Sequence, residues 1–244
     1  MRPIRNIEDM KVLAITHQGL VRENNEDRFL MKRHDNDAVL LAVADGMGGH
    51  VGGEEAARIA TRSLNDFNPN SQDVKAHFIE LVEASHRNIQ ASTAEKPALK
   101  GMGTTLTVVF LDKGTAHWAH IGDTRLYLLR KGQLIRVTRD HTIPGLLLHQ
   151  GEITASEARL HPLRNMLLRC IGCGNTEADT GSFELKEGDL ILLSSDGLHD
   201  MVPEETIEVI LNSKINLKEK LKELVSAALN VGGRDNITAV AAEV

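Results

Sequence analysis

Apolar positions along the chain gather into short runs, either alternating with polar residues or unbroken, and turn-forming residues bound each run; this pattern predicts strands. The runs are Val12 to Thr16, Arg28 to Arg33, Val39 to Ala44, Thr104 to Leu111, Thr115 to Ile121, Arg125 to Leu129, Gln133 to Val137, Met166 to Cys170, Gly181 to Leu185, Leu190 to Ser194 and Ile237 to Ala242. Turns such as Asp112-Lys113-Gly114 and Arg130-Lys131-Gly132 join neighbouring runs as hairpins, so the sheets are expected to be antiparallel. Helical spacing occurs at Val74, Phe78, Leu81, Val82 and Ile89, and again at Leu217, Leu221, Leu224, Val225 and Ala228. Glu54 to Phe67 predicts a third helix, with Glu54 and Glu55 where the helix dipole favours acids, and Pro203-Glu204-Glu205 opens a fourth. Strands and helices do not alternate as parallel units would, so the pattern predicts an α+β fold of two packed antiparallel sheets with helices outside. Thr142 to Asn165 breaks the strand series with short helical pieces, one with the capping-box spacing of Thr154 and Glu157, and reads as an inserted flap. No repeat or low-complexity linker divides the chain, so a single domain over residues 1–244 is expected.

Composition narrows the function. Apolar residues at 41% and charged residues at 25% are those of a folded globular chain. The longest apolar run, Ala38 to Ala44, is far short of the roughly 20 residues that span a bilayer. Met1 to Asp9 carries no apolar segment of the secretory kind, so a cytoplasmic protein without a membrane partner is expected. A net charge of −6 without a basic stripe, together with one Trp, one Tyr and five Phe, argues against nucleic acid as a partner. Cys170 and Cys173 form a C-x-x-C with no further ligand pair at zinc spacing, and are expected to be two reduced thiols at a strand end.

The chemistry lies in aspartates at the ends of apolar strands, each beside glycine or a polar turn. Asp45-Gly46 follows Val39 to Ala44, Gly122-Asp123 follows Trp118 to Ile121, Asp196-Gly197 follows Leu190 to Ser195, and Gly232-Gly233-Arg234-Asp235-Asn236 opens the last strand. Glu26-Asp27 precedes Arg28-Phe29. One Asp-Gly alone is an ordinary turn. If these ends converge, their repulsion and desolvation demand cations, and an all-oxygen donor set selects Mg²⁺ or Mn²⁺ over zinc. Arg22 has the planar fork that suits a pair of phosphate oxygens.

Taken together, Thr16-His17-Gln18-Gly19-Leu20-Val21-Arg22-Glu23-Asn24-Asn25-Glu26-Asp27, Ala44-Asp45-Gly46-Met47-Gly48-Gly49-His50, Gly103-Thr104-Thr105, Ile121-Gly122-Asp123-Thr124-Arg125, Ser195-Asp196-Gly197 and Arg234-Asp235-Asn236 resemble, in order, the motifs of the metal-dependent protein phosphatase 2C family, above all its compact bacterial serine/threonine phosphatases. The resemblance implies an αββα sandwich with two, and in bacterial relatives three, Mn²⁺ or Mg²⁺ ions between the sheets. Asp45 would bridge two ions and Gly46 would offer its carbonyl. Asp196 and Asp235 would complete one site, and Glu26 and Asp27 the other, mainly through water. Asp123 with Asp196 would form the third. Arg22 would grip phosphate, and Asn236 would support the cluster. Phosphoserine or phosphothreonine would then be hydrolysed by direct attack of a hydroxide shared between the two ions. Many eukaryotic relatives carry His where Met47 stands, which leaves His50 as the candidate leaving-group acid; His141, in Thr138-Arg139-Asp140-His141-Thr142, is read as structural.

Phosphorylated proteins are the implied partners, in opposition to a Ser/Thr kinase and with the enzyme a monomer. Other phosphatase chemistries fit less well. Asp35-Asn36-Asp37-Ala38-Val39 matches the D-x-D-x-[TV] of haloacid-dehalogenase-type enzymes but does not end an apolar strand, and no Arg follows either Cys at tyrosine-phosphatase spacing. A phosphoprotein-binding regulatory protein of the same fold with weak turnover is the alternative, and it would be expected to lack some of the carboxylates that are all present here.

Overall fold

A computed structural model describes residues 10–34, 37–48 and 52–244. Residues 1–9, Asp35 and Asn36, and Gly49, His50 and Val51 lie outside the described residues, so the readings of the N-terminal segment, of the D-x-D pattern and of His50 find no structural counterpart.

In chain order the elements are β1 (Lys11–His17), β2 (Arg28–Arg33), β3 (Val39–Ala44), β4 (Gly46–Met47), α1 (Gly52–Ser63), α2 (Val74–Glu95), β5 (Gly103–Thr104), β6 (Leu106–Asp112), β7 (Thr115–Ile121), β8 (Arg125–Arg130) and β9 (Gln133–Arg136). There follow α3 (Ile143–Gln150), α4 (Ala155–Leu160), β10 (Asp179–Glu184), β11 (Leu190–Ser194), α5 (Asp196–His199), α6 (Glu204–Asn212), α7 (Leu217–Asn230) and β12 (Ile237–Glu243). One sheet has the order β1-β12-β11-β8-β9 and the other β10-β7-β6-β3-β2. Every pairing within both is antiparallel.

Side-chain alternation explains the unbroken apolar runs. In β3, Val39, Leu41 and Val43 point into the layer between the sheets, while Leu40, Ala42 and Ala44 face α1 and α2. In β11, Ile191 and Leu193 point inward, and Leu190 and Leu192 pack with residues of α6 and α7. A strand covered on both faces has no polar side to show. The result is a helix–sheet–sheet–helix sandwich in which the central strands are inert and their ends carry the polar residues.

The helices follow their sequence signals. Asp73 caps α2 by accepting the Ala76 N–H, and α7 buries Leu217, Leu221, Leu224, Val225 and Ala228. The third expected helix is α1, which ends at Ser63 and gives way to a tighter turn over Leu64–Asp66. The flap holds α3, capped by Thr142, and α4, whose Thr154 and Glu157 form a complete capping box.

Two expectations are corrected. Met166 to Cys170 is not a strand: Leu167 bridges to Thr142, and Arg169 bridges to Gly174 and Asn175, so the run is spent on isolated contacts. Of its apolar side chains Cys170 is buried, Leu167 is half-buried, and Met166 and Leu168 are exposed. Cys170 and Cys173 are joined as a disulfide, because the turn through Gly172, at φ 95°, brings their Cα atoms to 5.7 Å.

Gly181 on β10 stands opposite Trp118 on β7, and a Cβ at Gly181 would lie 2.4 Å from the indole ring. Gly181→Ala is therefore expected to displace the chain's one tryptophan and to cost about 1–3 kcal/mol of stability. A shift in intrinsic fluorescence together with a lower denaturant midpoint checks both.

Candidate active site

The strand ends do converge. Arg22, Glu26, Asp45, Gly46, Asp123, Asp196, Asp235 and Asn236 line one cavity of about 340 Å³, together with Met47, Thr105, Asn165 and Leu167. Asp27 is buried behind this cavity, where the Ser195 hydroxyl donates to its Oδ2 at 2.7 Å.

Backbone bonds hold each carboxylate in place. The Asp45 N–H donates to Thr105 Oγ1 at 3.0 Å, and the Asp45 carbonyl accepts the Thr105 N–H at 2.9 Å and the Thr104 hydroxyl at 2.8 Å. Thr105 is thus withdrawn from strand pairing to serve Asp45, which is why the expected strand Thr104 to Leu111 divides into β5 and β6. Gly46 is required by space: a Cβ there would sit 2.1 Å from the Gly53 carbonyl oxygen. Asn236 spends three hydrogen bonds on the opposite loop, accepting the Glu26 N–H and donating to the carbonyls of Gln18 and Asn24, each at 2.8 Å. It ties the start of β12 to the loop that carries Arg22 and Glu26. Arg22, exposed at the mouth of the cavity, places Nη2 2.6 Å from Asp235 Oδ2.

Desolvation, and after it crowding, sets the electrostatics. Burial, then the neighbouring Asp27, Asp196, Asp123 and Asp235, hold the Asp45 carboxyl well above the usual carboxylate range. Asp196 is raised well above it by burial and by Asp123, Asp200 and Asp235. Asp123 is pushed up to about 7 by burial, Asp140 and Asp200, and Asp27 to about 6, chiefly by burial. Oδ1 of Asp27 and Oδ1 of Asp196 are buried without a hydrogen-bond partner. Orphaned anionic oxygens among hard donors are what a divalent cation satisfies, so these residues fit Mn²⁺ or Mg²⁺. Among the described residues no three such side chains already close on a single point; they ring the recess instead.

Beside this cavity lies another of about 330 Å³ that shares Asp123 and Asp196 with it and reaches beneath the flap. It exposes groups that were not singled out from the sequence. Asp200 caps α5 one turn after Asp196, a spacing that puts both on one side of the helix and was the available signal. Arg125 pairs with Asp140 through two bonds of 2.9 and 2.6 Å and contacts the Tyr127 hydroxyl. Burial works to raise Asp140, but the adjacent Arg125 guanidinium outweighs it and holds the carboxyl far below the usual range. The flap is fastened at the same place, with Arg159 donating to the carbonyls of Asp200 and Met201. His141 stands outside the carboxylate-lined cavity. Its backbone N–H donates to the Gly122 carbonyl, its Nδ1 accepts the Gly122 N–H, and its ring lies 4.6 Å from buried His120. Burial lowers His141 and brings His120 to about 3, so both are neutral props for the Gly122-Asp123 turn at pH 7.

The family profile of protein phosphatase 2C matches residues 18–239. The chain belongs to that family. It is 40% identical to the serine/threonine protein phosphatase PstP of Mycobacterium tuberculosis over 238 residues, which are 96% of this chain and 45% of that protein, so the chain spans about half of that relative's length. It is 36% identical over 235 residues to the serine/threonine phosphatase stp of Listeria welshimeri, covering 93% of each. The crystal structure of the PstP catalytic domain in complex with two manganese ions superposes with a TM-score of 0.84 at 37% identity, over 96% of this chain and 97% of that one. The αββα architecture of this phosphatase 2C chain is thus shared with solved members of the family.

Asp123 titrates near 7 in the fold against 3.8 when unperturbed, so between these values the folded state keeps a proton that the unfolded state has lost. Stability of the metal-free protein should therefore fall as pH rises through that window. Asp123→Asn should raise the metal-free Tm at pH 7.5 by roughly 3 °C, the shift that about 1 kcal/mol gives a chain of this size, and leave it nearly unchanged at pH 4. Scanning calorimetry in chelator at the two pH values checks the sign.

Proposed function

We propose that the chain is a Mn²⁺- or Mg²⁺-dependent phosphoprotein phosphatase for phosphoserine and phosphothreonine, working as one domain over residues 1–244. The observation that carries this reading is the set of recessed carboxylates with raised pKa values and two orphaned buried oxygens, opening on Arg22. In this reading Asp45 and the Gly46 carbonyl would help hold two ions, Asp196 and Asp235 would complete one site, and Glu26 and Asp27 would support the other. Asp123 with Asp196 would hold a third. When bound, the cations supply Lewis-acid charge to the phosphoryl oxygens and acidify water for direct attack on phosphorus.

The protein's own groups do the rest. Arg22 keeps one nitrogen on Asp235 and offers its remaining N–H donors to the phosphate, which fixes the phosphate relative to the ligands of the ions. Asn236 fixes the loop that carries Arg22 and Glu26, so the guanidinium and the carboxylates share one frame. Met47 has no proton to give, and among the described residues no imidazole lines the cavity, so His50 or solvent is the source of the leaving-group proton. The reading extends to substrates made by a Ser/Thr kinase and to a monomer acting in the cytoplasm. No described helix is long and apolar enough to cross a membrane.

Asp45→Asn and Asp196→Asn are each expected to lower Mn²⁺-dependent turnover of p-nitrophenyl phosphate at least about 100-fold. Near-normal turnover of either variant at saturating Mn²⁺ would overturn the ligand assignment. Arg22→Ala should raise KM about tenfold with little change in Mn²⁺ affinity. Steady-state kinetics alongside calorimetric metal titration separates the two effects.

A further inference from the structure

The catalytic cavity changes character across a single wall. Met47, Asn165 and Leu167 line it on one side and, on the other, line a second recess of about 460 Å³ at the flap. Arg22 and a ring of carboxylates surround the first space, whereas no side chain lining the second carries a formal charge. The floor of the second recess is fixed. Met47 pairs with Gly103 in the β4–β5 ribbon, and Thr104 and Ile171 exchange both backbone hydrogen bonds at 2.8 Å. The Cys170–Cys173 disulfide closes the floor, with the Cys173 sulfur packed against Gly103. Leu163 and Met166 form the rim, 41% and 52% exposed.

A polypeptide that delivers a phosphorylated side chain to the catalytic cavity lays its next residues over whatever borders that cavity. In extended backbone, residues two apart point to the same side with a separation of about 7 Å, so a near neighbour of the phosphoresidue reaches across a wall one side chain thick. We propose that this recess is a specificity subsite that receives a Leu, Ile, Met or Phe side chain lying within two residues of the phosphoserine or phosphothreonine. The proposal rests on the phosphatase reading above and names the class of substrate it acts on. An apolar side chain entering the recess covers Leu163 and Met166 and is itself removed from water, while an acidic one loses hydration and finds no cation in return. Met166 and Met47 adapt their shape to side chains of different outline. Two exposed apolar side chains at the rim are too few for the roughly 800 Å² that each partner buries in a stable dimer, which favours a substrate residue over a second copy of the chain.

The test uses the Mn²⁺-loaded enzyme and phosphothreonine peptides that differ only in carrying Leu, Ser or Glu at each of the two positions on either side of the phosphoresidue. Leu at one position is expected to raise kcat/KM about tenfold over Ser, the worth of burying most of one such side chain, with Glu the poorest. Leu163→Lys should abolish the Leu preference and favour the Glu peptide, and Met166→Ser should weaken the preference for Leu. Turnover of p-nitrophenyl phosphate, too small to reach the recess, should change less than about twofold in both variants. Equal rates for all peptides, or a Leu preference that survives both substitutions, would overturn the subsite while leaving the phosphatase reading intact. Absence of Mn²⁺-dependent turnover on every substrate would overturn that reading and the subsite with it. Flat specificity combined with a dimer in the wild type that Leu163→Lys dissociates would assign the recess to a second copy instead.

Discussion

The crowding of carboxylates in one recess organises this molecule. Desolvation first, and then the charges of Asp27, Asp196, Asp123 and Asp235, displace Asp45 upward, and desolvation with Asp123, Asp200, Asp235 and Asp27 does the same to Asp196. At an effective dielectric near 20, two such charges 4 Å apart repel by about 4 kcal/mol. Among the described residues of the cavity only Arg22, paired with Asp235, offsets this repulsion with a positive charge. The cohesion comes from strands that are apolar on both faces and from ties such as Thr105 to Asp45 and Asn236 to the loop at Glu26, which keep anionic groups where they would not stay by choice. The sandwich is in effect a frame that carries an electrostatic strain at one edge.

That division of labour decides what could be read from the sequence. Doubly buried strands leave runs such as Val39 to Ala44 that have no competing interpretation, and amphipathic helices such as α7 show their core face in the spacing alone. Asp45, Asp123 and Asp196 were legible because each stands at the end of such a run beside a glycine, and for Gly46 the structure supplies the reason in the Gly53 carbonyl. Features fixed by tertiary partners were not. The break at Thr105 exists to serve Asp45, sixty residues away in sequence. Met166 to Cys170 has the composition of a strand, but it makes only isolated bridges, to Thr142, Gly174 and Asn175, and Met166 and Leu167 line the recess at the flap. Asp200 and the Arg125–Asp140 pair were hidden for a related reason: a charged residue in sequence looks solvated until the fold shows that it is buried against its partner.

Around the carboxylate cavity the polar interior is graded. Neutral, hydrogen-bonded groups, with His120 between Thr107 and the Arg139 carbonyl and His141 on the Gly122 turn, stand between the apolar layer and the carboxylates. Arg125 with Asp140, and Arg159 on the carbonyls of Asp200 and Met201 just after α5, then fasten the flap to the end of the helix that begins at Asp196. The flap and the carboxylate ring therefore share anchoring points. Charge, neutral polarity and apolar surface meet within one side-chain layer of Met47 and Leu167.

The pairing of β1 with β12 carries a consequence for how the protein is made. Thr16 and Thr238 share a hydrogen bond between residues 222 apart, and β12 is the one strand that β1 meets in its sheet. On a ribosome the chain emerges from its N-terminus, so β1 waits unpaired while the other sheet, with β2, β3, β6, β7 and β10, and its helices α1 and α2 can already form. Asp235 and Asn236 arrive immediately before β12. The carboxylate cavity is consequently completed only when β12 is in place, and a chain that stops short of Asp235 lacks it.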